Sequence, residues 1–128
     1  MEPLTIEATP ETPSIILDKQ KNTFKIQGKS FPEEARSFYK PVLDWLTEYA
    51  HNPNEKTSVI IDLEYYNTAS SKMLLEVLKT FKEIHKKGSE IEIQWHYPED
   101  DEDMLEAGED YEEILQIPFR YVTYEEDD

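Results

Sequence analysis

One stretch restricts the fold more than any other. Residues 57–63, Thr-Ser-Val-Ile-Ile-Asp-Leu, are β-branched and apolar at their centre, the pattern of a buried strand. Residues 71–87 carry Leu74, Val77, Leu78, Phe81 and Ile84 at the spacing of one helix face. Lys82, Lys86 and Lys87 gather toward the end of that helix, where cations suit the dipole, and Gly88 stops it. Residues 90–97 then alternate strictly, with Ile91, Ile93, Trp95 and Tyr97 on one face and Glu92, Gln94 and His96 on the other. Strand, helix and strand in this order make a βαβ unit, which implies parallel pairing through a right-handed crossover. The unbroken apolar centre of 57–63 further predicts a strand covered on both faces.

The flanking segments extend this unit. Residues 14–18 and 23–28 read as two strands of a hairpin, with polar turn residues 19–22 between them. Ser30-Phe31-Pro32-Glu33-Glu34 has the serine, proline and early acids of a helix start. Ala35, Phe38, Tyr39, Val42, Trp45, Leu46 and Tyr49 continue it with helical spacing. Pro41 lies inside and predicts a kink or break. After the strand at 90–97 comes an acidic stretch over 98–110, then one or two helical turns over 111–116, then a last strand over 118–124. Residues 1–13, with Pro3, Pro10 and Pro13, read as extended or partly loose chain, and residues 125–128 as a loose, frayed tail. The predicted order is ββαβαβ(α)β, a single α/β sandwich domain over residues 1–128 with a mixed sheet.

Charge narrows the function. The chain of 128 residues carries 13 Lys and Arg against 29 Asp and Glu, a net charge of −16. Residues 98–128 alone hold 14 carboxylates and one base, Arg120. Binding to a phosphate backbone rests on cationic neutralisation, so nucleic acid is not the expected partner. An anionic membrane repels such a surface, and the apolar runs are far too short for insertion. There is no cysteine, hence no disulfide, thiolate metal site or cysteine nucleophile. The start, Met1-Glu2-Pro3-Leu4-Thr5-Ile6, lacks the basic and apolar regions of a signal peptide, which predicts a cytoplasmic protein.

The chemistry is expected where the strand at 57–63 meets the helix at 71–87. The run Leu63-Glu64-Tyr65-Tyr66-Asn67-Thr68-Ala69-Ser70-Ser71-Lys72 places a hydroxyl-rich loop there. In open α/β sheets function tends to sit at the carboxyl ends of strands. A helix start adds unpaired N–H groups that suit an oxyanion. Thr68, Ser70 or Ser71 can equally serve as a plain helix cap. Tyr65 and Tyr66 are placed for a partner surface, with core packing an alternative for one of them.

The same run resembles the signature loop of the SiaC family of bacterial regulatory phosphoproteins. Residues 93–110, an aromatic strand followed by an acidic segment ending in Gly108-Glu109-Asp110, are similar to the family's second signature. Gly28-Lys29-Ser30-Phe31-Pro32-Glu33, with Phe38-Tyr39-Lys40-Pro41 and Trp45-Leu46, resembles its N-terminal pattern. The likeness runs from about Ile15 to Tyr121. It implies a fold akin to STAS domains, the anti-sigma-factor antagonists. It also implies a partner-switching module in which a cognate serine/threonine kinase phosphorylates Thr68 and a PP2C-type phosphatase resets it. The unphosphorylated form would bind an output protein such as a diguanylate cyclase, and so act on cyclic di-GMP. On this reading Asn67, Ser70 and Ser71 shape the phosphosite, Glu64, Tyr65, Tyr66 and Lys72 contact partners, and the chain is no enzyme and needs no cofactor.

Other sites read less well. An EF-hand loop begun at Asp103 would have Gly108 sixth but Leu105 at the third, ligand position. His51, His85 and His96 show no ligand spacing on one element. No Gly-x-Ser-x-Gly elbow or phosphate-cradling glycine loop occurs. The alternatives are a constitutive adaptor without phosphorylation and a small metal-dependent hydrolase built from the acidic segment and His96.

Overall fold

The computed structural model describes residues 1–126. Six strands form one sheet in the order β1-β2-β3-β4-β5-β6. They are β1 (Leu4–Ile6), β2 (Ser14–Asp18), β3 (Thr23–Ser30), β4 (Lys56–Tyr66), β5 (Glu90–Pro98) and β6 (Phe119–Tyr124). The helices are α1 (Ala35–Tyr49), α2 (Thr68–Lys86) and α3 (Glu102–Leu115). β1, β2 and β3 are antiparallel neighbours, whereas β3, β4, β5 and β6 run parallel. The predicted hairpin, mixed sheet and βαβ unit are all present. Each parallel step is bridged by one helix, so equal-handed crossovers stack the three helices on one face.

That face holds the core. Ile15, Leu17, Phe24, Ile26, Val59, Ile61, Leu63, Ile91, Ile93 and Trp95 point into it from the sheet, each no more than 3 % exposed. Tyr39, Val42, Leu46, Leu74, Leu78 and Phe81 meet them from the helices. The opposite face is open. Ser58, Ile60 and Asp62 of β4 and Glu92, Gln94 and His96 of β5 lie there, half-buried. The expectation that β4 is covered on both faces is therefore wrong. Its alternation Ser58, Ile60, Asp62 is that of a one-sided strand, masked by the single isoleucine.

Four other expectations are corrected. The chain start is ordered: β1 pairs with β2, and Trp45 Nε1 donates to the Glu2 carbonyl at 2.8 Å. Residues 9–12 form a turn in which the Thr12 N–H donates to Thr9 Oγ1 at 2.9 Å. Glu125 and Glu126 follow β6 outside any element, and Asp127 and Asp128 lie outside the described residues. α1 begins at Ala35, not at Ser30, which ends β3. It passes through Pro41 unbroken, because Pro41 and Ser37, whose carbonyl loses its partner there, both face solvent. The acidic stretch is not a loop. Asp101 caps α3, its side chain accepting from the Met104 N–H at 3.0 Å, and Glu102 and Asp103 occupy the first turn, where the dipole favours acids.

Candidate functional site

The site grows from an irregularity in β4. Gly28 pairs with Leu63 but Lys29 pairs with Tyr65, so Glu64 is the extra residue of a bulge. The bulge breaks the alternation. Leu63 points into the core, Glu64 and Tyr65 face solvent, and Tyr66 turns half inward. Tyr65 is 53 % exposed, with its ring edge-on to Phe31 at a centroid distance of 5.7 Å. Of the two adjacent tyrosines, one is thus a surface group and the other packs.

The hydroxyl-rich segment is the first turn of α2, not a loop before it. Asn67 is the cap, its side-chain oxygen accepting from the Ser70 N–H at 2.9 Å. None of the three hydroxyl residues takes the capping role allowed for them. The Asn67 N–H donates to the Ser30 carbonyl at 3.0 Å, tying the helix start to β3. Ser70 is fully buried and accepts from Ser30 Oγ at 2.8 Å. With the Ser30 proton so directed, the Tyr39 hydroxyl donates to Ser30 Oγ at 2.7 Å. Burial pushes the Tyr39 phenol up to about 12, so this three-hydroxyl chain stays neutral.

A second clamp comes from α3. Tyr111 donates to the Ser71 carbonyl at 2.8 Å. Ser71 Oγ donates to the Thr68 carbonyl at 2.7 Å. Burial raises the Tyr111 phenol above its usual range, and the neighbouring Tyr66 adds to that. Burial also raises Tyr66, with the charges of Asp110 and Asp101 contributing.

Three hydroxyls that look alike in sequence therefore differ. Ser70 is buried and bonded, Ser71 is half-buried and bonded, and Thr68 is exposed, its hydroxyl without a hydrogen-bond partner among the described residues. Lys72 lies one turn along the same helix face and is exposed. Glu64, Tyr65 and Tyr66 line a shallow recess of about 370 Å³ with Asp101, Asp103 and Met104. Lys72 is not part of that recess. Sequence reading missed Ser30, Tyr39 and Tyr111, which hold the turn, and Phe31, which backs Tyr65. In the sequence Ser30, Phe31 and Tyr39 stand out only within the family-like N-terminal pattern, and Tyr111 only as the start of the short helix expected over 111–116.

The hydrolase alternative needs His96 beside the acidic segment. Trp95 points to α3, its Nε1 donating to the Met104 carbonyl at 2.9 Å, so His96 projects from the opposite, open face. There it lies 3.1 Å from Gln94 Oε1, with Asp62, Lys25 and Arg120 as its charged neighbours. The two halves of that site are on different layers. Among the described residues no three His, Asp or Glu side chains are placed to hold a metal ion, and no helix is long and apolar enough to cross a membrane.

Fold and site together define a class: a two-layer α/β protein that presents an exposed hydroxyl on a buttressed helix start at the carboxyl ends of its strands. The chain belongs to the SiaC family regulatory phosphoproteins, whose family model matches residues 6–124. It is 29 % identical over 126 residues to an uncharacterized protein of Pseudomonas aeruginosa (strain UCBPP-PA14), covering 98 % of this chain and 100 % of that one. The crystal structure of apo-SiaC from Pseudomonas aeruginosa superposes with a TM-score of 0.87 at 29 % identity, covering 96 % of this chain and 100 % of that one. SiaC in complex with the diguanylate cyclase SiaD, which it activates, matches with a TM-score of 0.87 at 29 % identity, covering 94 % and 99 %.

Proposed function

We propose that this protein is the phosphorylation-controlled, non-enzymatic member of a partner-switching module, with Thr68 as the residue modified. The observation that carries the reading is the sorting of hydroxyls on the first turn of α2. Thr68 alone of the three is exposed and uncommitted, on a turn held from behind by Ser30, Tyr39 and Tyr111. A kinase needs a reachable hydroxyl, and a switch needs a frame that keeps its shape when the charge changes. Asn67, Ser70 and Ser71 shape that frame, while Glu64, Tyr65, Tyr66 and Lys72 form the contact surface around it.

A phosphate adds roughly −1.5 to −2 charge at neutral pH. At Thr68 it would meet the N-terminal end of the helix dipole, so the helix itself would tolerate it. A partner docked on Tyr65 and the adjacent recess would not, because that recess already carries Glu64, Asp101 and Asp103. The expected partners are a serine/threonine kinase, a PP2C-type phosphatase and an output protein engaged by the bare form. The complex of the relative SiaC with the diguanylate cyclase SiaD favours a cyclase as that output. The module would work in the cytoplasm, with the whole of 1–128 acting as one domain.

Intact-mass measurement and peptide mapping of the protein from its own cells test this. Phosphate on Thr68 is the expected result. A chain unmodified under all growth conditions would leave a constitutive adaptor in its place.

A further inference from the structure

The two ends of the sheet are built differently. β1 is three residues long and follows Pro3, a short edge that offers little to an incoming strand. β6, at the other end, is six residues long, Phe-Arg-Tyr-Val-Thr-Tyr. It contains no proline and no bulge, and of the devices that normally blunt an edge it carries only the single charge of Arg120.

The direction of its backbone groups follows from two bonds. The Phe119 N–H turns away from β5 and donates to Glu112 Oε2 at 2.9 Å. The Tyr124 carbonyl faces the β5 side and accepts from the Glu99 N–H at 2.9 Å. Alternate residues of a strand turn their backbone groups to opposite sides, so Tyr121 and Thr123 direct theirs outward with Phe119. Among the described residues these outward groups of Tyr121 and Thr123 have no partner.

Charge surrounds this edge. Glu109, Glu112 and Glu113 line a recess of about 360 Å³ at its start, with Gln116, Ile117 and Pro118. Glu125 and Glu126 follow its end. Among the described residues the ion pairs are Lys40–Asp44 and Glu83–Lys86, so none of these carboxylates is neutralised by a salt bridge. A second copy pairing edge to edge would bring carboxylates against carboxylates on two chains of net charge −16 each. The edge is thus closed to self-association by charge but open in hydrogen bonding.

We propose that the outer edge of β6 receives an extended, Lys/Arg-bearing segment of a partner protein, which adds to the sheet as a further strand. Backbone bonds to Tyr121 and Thr123 would supply the pairing, and the carboxylates at both ends would select for basic residues. The pairing residues Tyr121 and Thr123 are not part of the Thr68 contact surface, although Glu126 lines a recess with Asp101 and Asp103 that adjoins it, and the proposal does not depend on the phosphorylation reading.

The test uses the full chain, isotope-labelled, titrated with a capped ten-residue peptide of alternating lysine and valine. The control peptide has the same length and charge, with one central valine replaced by proline. The expected result is a shift and slowed exchange of the Tyr121 and Thr123 amides, with the proline peptide binding about tenfold more weakly. Thr123→Pro, which removes an outward N–H without touching the β5 ladder, should abolish the effect. Glu113→Lys, a surface change that leaves the fold intact, should weaken binding about threefold or more. Equal binding of both peptides would reduce the interaction to bulk charge and overturn the proposal. So would an absence of shifts at Tyr121 and Thr123 at millimolar peptide, or concentration-dependent pairing of the chain with itself.

Discussion

α2 and α3 pack side by side on the same face of the sheet, yet they are held in opposite ways. α2 buries Leu74, Val77, Leu78, Phe81 and Ile84 along its length, an apolar stripe that would form in many contexts. α3 buries Met104, Gly108, Tyr111 and Leu115, and the rest of it is largely carboxylate. Its position depends on fit. Gly108 has no side chain where a Cβ would come within 2.7 Å of the Trp95 ring, and Trp95 Nε1 reaches the Met104 carbonyl. A helix secured by area tolerates change on its outer face, whereas one secured by a close approach tolerates little at that point. The proposed switch lies on the first, and part of its support comes from the second.

The contrast can be broken by mutation, most strongly in α2. Phe81 is fully buried against Phe24, and Phe81→Ala should cost about 3–5 kcal/mol in urea unfolding as one cooperative transition. A loss under about 1 kcal/mol would mean that α2 is not held by its stripe. Gly108→Ala is next. In an exposed helix this change stabilises by about 1 kcal/mol. Here Trp95 must move, and the net result should be a loss of about 1–2 kcal/mol, with amide protection falling in α3 before α2. A gain in stability would show that α3 is not seated by this contact.

Tyr111→Phe sharpens the link between the two helices. It removes the bond to the Ser71 carbonyl and should cost about 1 kcal/mol, seen as faster exchange at the start of α2. Alkaline titration adds to it. Tyr39, Tyr66 and Tyr111 all have raised phenol values, so the stability they confer is complete below the ordinary value of 10 and is lost as pH rises through the folded-state values, about 12 for Tyr39. Tyr111→Phe should flatten that alkaline decline. The smallest effect belongs to Thr68→Ala, expected within about 0.5 kcal/mol of the parent because the residue is exposed and its hydroxyl has no hydrogen-bond partner among the described residues. A larger loss would make Thr68 a structural residue.

The same contrast explains what the sequence disclosed. α2, β4 and β5 carry their periods in apolar residues, and their order and pairing were legible. α3 has its buried positions at 104, 108, 111 and 115, a helical spacing in which one place is a glycine, so the stripe shows as a gap inside an acidic run. Asp101 and the acids after it were a helix start hidden by their own abundance. At the site, the motif singled out Thr68 but placed it in a loop, whereas it opens α2. The rank of the three hydroxyls was not legible, since it depends on Ser30 and Tyr39, which are 40 and 31 residues from Ser70 in the chain. The bulge at Glu64, which decides that Tyr65 rather than Tyr66 faces out, has no marker of its own.

The strand order itself bears on how the molecule comes into being. Each strand lies beside the next one in sequence, so every pairing closes over a hairpin or a single helix. Such short closures favour quick folding, and a chain leaving the ribosome can add strands one after another to a growing edge. The turn that bears Thr68 is synthesised well before Tyr111, whose hydroxyl completes its support. A nascent chain would thus expose the Thr68 hydroxyl before the platform beneath it is finished, so only the completed chain presents that hydroxyl on a fixed turn.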